Sequence, residues 1–116
     1  MIRYLLGTLA LALASPALAQ DDPPTAEALA QVINDTGCKR HDYPNLETTI
    51  YLCDRGLTYW YFTIPSATVP PGYIRRAAVR RDGAIYMETR GHHDGTDAQQ
   101  SQFDAWTNRL VAALGN

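Results

Sequence analysis

ETTIYLCDRGLTYWYFTI, Glu47 to Ile64, holds two β-rich runs, Glu47 to Cys53 and Leu57 to Ile64, around the turn residues Asp54-Arg55-Gly56. The pattern predicts a hairpin with the glycine in the left-handed position. If Cys53 stands opposite Leu57, Ile50 faces Trp60, Thr48 faces Phe62, Tyr51 faces Tyr59 and Thr49 faces Tyr61. Ile50, Leu52, Trp60, Phe62 and Ile64 then form a core face, and Tyr51, Tyr59 and Tyr61 share the opposite one.

C-terminal to this hairpin, Pro65 to Gly72 carries three prolines and reads as loop. Tyr73 to Arg81 and Ala84 to Thr89 then flank Asp82-Gly83, a two-residue turn signal. It sets Arg80 opposite Ile85, Val79 opposite Tyr86, Ala78 opposite Met87 and Ala77 opposite Glu88. Arg90 to Gly95 reads as a polar loop. Thr96 with Gln99 makes a capping box for a helix to about Leu114, with Phe103, Trp106, Leu110, Ala113 and Leu114 at helical spacing and Gly115 to stop it.

N-terminal to the hairpin, Lys39 to Asn45 reads as loop, with Pro44 against regular structure. Before it, Thr25, or Asp22 with Pro23 at the first helical position, caps a helix to about Asp35. Its stripe is Ala26, Leu29, Val32 and Ile33, and Gly37 ends it. The expected fold class is α+β: an N-terminal helix, a four-stranded antiparallel sheet of two hairpins, and a C-terminal helix, with the helices on one face.

Arg3, the apolar run Leu5 to Ala14 and the small-residue ending Ser15 to Ala19 predict a signal peptide over residues 1–19, cleaved before Gln20, leaving a single α+β domain over 20–116. The apolar run is shorter than the roughly 20 residues a membrane span requires. Cys38 and Cys53 are then expected to pair in an oxidising compartment, adding about 3 kcal/mol by closing a loop of about 15 residues. This conflicts with the expected register, which turns Cys53 away from the helix-covered face. Either a bulge at Gly56 re-aims it, or the loop bearing Cys38 wraps round the sheet edge.

The full chain of 116 residues carries 10 basic and 12 acidic side chains, a net charge of −2, which excludes bulk attraction to nucleic acid or an anionic membrane. All but one of the basic residues are arginine, and Arg75, Arg76, Arg80 and Arg81 crowd one strand. Planar guanidinium forks suit carboxylate or phosphate partners, although alternating arginines also solubilise an edge hairpin. Three tyrosines on one face suit recognition, unless a second layer buries them.

His41-Asp42 and His92-His93-Asp94 could approach one another to hold a metal ion, yet adjacent residues in an extended segment point opposite ways and ligate one ion badly together. Ser66 and Ser101 lie on no nucleophile elbow. The six residues Tyr51 to Gly56 resemble the strand and turn of the small periplasmic lysozyme inhibitors. Those are all-β barrels, whereas this chain closes with a helix, and no inhibitory residue is carried over.

The resulting expectation is a non-catalytic binding protein, secreted or periplasmic, that takes a protein or envelope component as partner and no cofactor, metal or nucleic acid. Its contact surface would be Tyr51, Tyr59, Tyr61, Arg75, Arg76, Arg80 and Arg81. The alternative is a small exported enzyme or metal-binding protein built on the His41 and His92/His93 loops.

Overall fold

The computed structural model describes residues 22–53 and 57–114. Helix α1 (Thr25–Ile33) precedes strands β1 (Cys38–Tyr43), β2 (Thr48–Cys53), β3 (Thr58–Thr63), β4 (Gly72–Arg81) and β5 (Ala84–His93), and helix α2 (Gln100–Leu114) closes the chain. The strands form one antiparallel sheet in chain order, β1-β2-β3-β4-β5. The fold is α+β as expected, with five strands in place of four. The expected leader, residues 1–19, the turn residues Asp54-Arg55-Gly56 and Gly115 lie outside the described residues.

The additional strand is β1, expected as loop. Its polar run shows no alternation because its outer edge and both faces meet solvent, so backbone pairing with β2 and the cystine at its head define it instead. Pro44 does not interrupt it, because the strand ends at Tyr43 and proline opens a short 3₁₀ turn, Pro44–Leu46. Lys39, Arg40 and Asp42 along this edge oppose pairing with another chain.

The β2–β3 register differs by one residue from the expected one. Thr48 pairs with Thr63, Ile50 with Tyr61, Tyr51 with Trp60 and Cys53 with Thr58. The connection is one residue longer than anticipated, and Leu57 falls within it at φ 48°. Because side chains alternate with period two, this slip changes which residues share a face.

Each face of the sheet consequently has its own core. Ala28 and Val32 of α1 pack on Tyr51, Cys53, Phe62 and Tyr73, bordered by Leu29, Cys38 and Trp60. Phe103, Trp106 and Leu110 of α2 pack on Ile74, bordered by Leu46, Tyr61 and Val69. The helices therefore cover opposite faces. The expected single core face is divided, with Trp60 and Phe62 under α1 and Ile50 and Leu52 facing the α2 side. The slip also removes the conflict over the cystine. Cys53 points to the α1 face, where its register partner Cys38 is the first residue of β1, and the two form the disulfide.

Helix α1 buries Thr25, Ala28 and Val32, so Ala26 and Ile33 of the expected stripe face solvent. Pro24 occupies the cap position, and the Thr25 N–H donates to Asp94 Oδ1 at 3.2 Å, so a carboxylate beyond β5 serves the helix N-terminus. Ahead of α2 the anticipated capping box of Thr96 and Gln99 is present, with the Thr96 N–H donating to Gln99 Oε1 at 2.9 Å, and it opens a 3₁₀ turn, Asp97–Gln99, that leads into the helix. Ala113 and Leu114 are exposed, while Trp106 is fully buried and its Nε1–H donates to Thr48 Oγ1 at 3.0 Å and to the Leu46 carbonyl at 3.2 Å.

The β4–β5 hairpin has the anticipated register from Ala77–Glu88 to Arg80–Ile85. Asp82 (φ 51°) and Gly83 (φ 82°) are both left-handed, as a type I′ turn requires. Strand β5 runs on to His93 through residues expected as loop. At its far end α2 seats closely: a Cβ on Gly72 would lie 2.7 Å from both the Phe103 ring and the His92 carbonyl.

Candidate binding surface

Strand β3 pairs with β4 only between Tyr73 and Ala77, whereas β5 pairs with β4 along its whole length. Beyond Ala78, whose N–H still donates to the Leu57 carbonyl at 3.3 Å, the β4–β5 hairpin continues as a two-stranded ribbon. Among the described residues no helix packs on its tip, where Arg80 to Met87 are exposed. Ile85, Tyr86 and Met87 are 63%, 56% and 46% exposed there. Register places Ile85, Met87 and Arg80 on the α2 side and Tyr86 and Arg81 on the α1 side. Arg81 Nη2 meets Glu88 Oε2 at 2.8 Å.

The register separates the residues anticipated as one contact surface. Tyr51 is buried on the α1 face at 6% exposure, its ring edge-on to Phe62 at 5.9 Å. It belongs to the core, which corrects the expectation of a three-tyrosine face. Tyr59 (39% exposed) and the half-buried Tyr61 lie on the α2 face. Arg75 is on the α1 face with its guanidinium 5.6 Å from the Trp60 ring centroid. Arg76 stands beside Tyr59 on the α2 face.

Together Tyr59, Arg76, Arg80, Met87 and Ile85 make a continuous strip on the α2 side of β3, β4 and β5. Ile85 and Met87 were absent from the sequence-derived surface. Their signal was the apolar run Ala84 to Met87 beside a turn, which a third neighbouring strand would have buried.

Where α2 rises from the sheet, a cleft of about 180 Å³ opens between its last turns and β3–β5. Tyr61, Ile74, Leu110, Val111 and Leu114 supply apolar walls, and Arg76, Thr89 and Thr107 supply polar ones. Among the described residues Arg76 has no hydrogen bond or ion pair. A second, more polar cleft of about 230 Å³ opens beside the cystine at the C-terminal end of α1, with Gln31, Asp35 and Arg75 on its walls.

The histidines are not brought together. His41 lies on β1 on the α2 side and His92 on β5 on the α1 side, so four strand spacings, about 19 Å, separate them. They cannot share an ion, which overturns the geometric basis of a site built from both. His92 Nε2–H donates to Asp94 Oδ1 at 2.8 Å, the carboxylate that also receives the Thr25 N–H. His93 Nδ1 accepts the Gly95 N–H at 3.1 Å, which places its proton on Nε2, 2.8 Å from Gln100 Oε1. Both rings therefore tie β5 to the segments that follow it. Asp35 approaches Cys38 and Cys53, but both sulfurs are committed to the cystine.

On the β1 edge, the Arg40 guanidinium and then the Thr49 hydroxyl hold the Asp42 carboxyl below its ordinary range. A disulfide in a chain this small is compatible with an extracellular location. Among the described residues no helix is long and apolar enough to cross a membrane. No family model, no curated protein and no solved structure matches the chain.

Proposed function

We propose that this protein is an exported, non-catalytic binding protein, periplasmic or secreted, that takes a protein component of the cell envelope as its partner through the β4–β5 ribbon and the adjoining strip of Tyr59, Arg76 and Arg80. The observation that carries this reading is the exposure of Ile85, Tyr86 and Met87 on a ribbon that no other element covers among the described residues. Apolar side chains clustered outside a core usually mark interaction surfaces. A two-stranded ribbon is also marginally stable alone, so a partner that covers it would gain ordered strand geometry together with apolar contact. Arginines and tyrosines beside the apolar residues match the composition of energetic centres in interfaces. The leader and the cystine support export.

The test is photo-cross-linking in the native envelope, with the reactive residue placed at Met87 and, as a control, at Lys39 on the opposite edge. A discrete adduct from position 87 and none from position 39 is expected. Identical adducts from both positions, or none from position 87, would refute the reading.

A further inference from the structure

We propose that the cleft under the last turns of α2 is a site for a small amphipathic carboxylate, a short apolar tail bearing one carboxylate head, with Arg76 as its counter-ion. The site adjoins the proposed partner strip and shares Arg76 with it, but its test reads a small-molecule ligand alone, so it stands or falls independently of the partner proposed above.

The walls state the chemistry. Ile74, Leu110, Val111 and the Tyr61 ring make an apolar lining between helix and sheet. At one side Arg76, half-buried, places a permanent cation against that lining without a carboxylate partner among the described residues. Its nearest neighbour on β3 is Tyr59 and on β5 is Thr89, neither of which neutralises it. The other arginines of the two long strands differ. Arg75 rests on Trp60, Arg81 pairs with Glu88 and Arg90 pairs with Asp22 at 2.8 Å, and Arg80 is exposed to water.

A guanidinium presented beside apolar surface binds a carboxylate through a two-point fork that an alcohol cannot reproduce. The Thr89 hydroxyl, on the same wall, offers a further donor to the second carboxylate oxygen. The cleft, at about 180 Å³, is smaller than the roughly 300–1,000 Å³ of sites for drug-sized ligands. That limits the tail to about six to eight carbons, whose burial supplies the apolar part of the affinity. Val111 and Leu114, both substantially exposed on α2, become covered when such a tail enters.

Octanoate is the probe, titrated into the full mature protein and followed by amide chemical shifts and calorimetry, beside octanol (tail without charge) and acetate (charge without tail). Octanoate is expected to bind with a Kd below about 1 mM, at least tenfold tighter than either control, with shifts centred on Tyr61, Thr89 and Val111. Arg76→Gln should weaken octanoate by about tenfold or more and leave octanol unchanged. The unchanged octanol arm reports that the variant remains folded, and Arg80→Gln, outside the cleft, should bind octanoate as the wild type does. Octanol binding as tightly as octanoate, an Arg76→Gln variant that binds octanoate normally, shifts confined to the ribbon, or no response at 10 mM (about 3 kcal/mol of affinity or less) would each overturn the proposal.

Discussion

Tyr51 and Tyr59 show how much one step of register decides for a single side chain. They lie on neighbouring strands, yet Tyr51 reaches the α1 core while Tyr59 reaches the partly open α2 face. Tyr51→Ser should therefore destabilise the fold by about 3 kcal/mol or more, the cost of emptying an aromatic core position. Tyr59→Ser should cost less than about 1 kcal/mol. Chemical denaturation of the two variants separates these outcomes, and equal losses would show that the faces are not divided as described. Neither value is readable from composition, because a tyrosine is at home both in a core and at an interface.

At the scale of elements, the cystine joins the first residue of β1 to the last of β2 and so clips an edge strand that buries few side chains. Most of the β1 side chains are exposed, so its own apolar burial gives it little hold on the sheet. Reduction, or the pair Cys38→Ala with Cys53→Ala, is expected to lower stability by about 3 kcal/mol for a sequence separation of 15. Hydrogen exchange should then rise in β1 before it rises in β3 and β4. An unchanged urea midpoint under reducing conditions would deny the bond that role. The type I′ turn at Asp82-Gly83 illustrates the opposite case, an element whose local chemistry suffices. Two left-handed residues set the strand pairing without help from the rest of the molecule, and the anticipated register is the observed one.

At the scale of the whole molecule, Tyr73 links the N-terminal segment, the sheet and the far edge. Its hydroxyl donates to the Pro23 carbonyl at 2.9 Å, and its ring lies against Trp60, Phe62 and His92. Burial, and then the negative charge of Asp22, push its hydroxyl up to about 12. The folded protein therefore keeps this proton where the unfolded chain releases it near pH 10. Its contribution to stability is complete below pH 10 and is lost as the pH climbs to about 12, at no more than about 1.4 kcal/mol per pH unit. Alkaline unfolding curves should show this slope in the wild type and a flatter one in Tyr73→Phe. Identical slopes would mean that the hydroxyl is not held as described.

The sequence by itself determined the two helices, the two hairpins between them, the pairing of Cys38 with Cys53 and the β4–β5 register. Each of these rests on contacts close in sequence: caps, turn dipeptides, short-range periodicity and a lone pair of thiols. Only the tertiary structure decided the fifth strand, the β2–β3 register and the placement of the helices on opposite faces. An edge strand is specified by a neighbour's unpaired backbone rather than by its own side chains, so the charged run from Lys39 to Asp42 carries no strand signal. Strands flanked by helices on both sides have apolar residues on both faces, so Thr48 to Cys53 and Thr58 to Thr63 are compatible with either register. The choice falls to how Tyr51, Phe62 and Tyr73 pack under α1 and how Ile74 packs under Trp106, contacts between residues far apart in the chain.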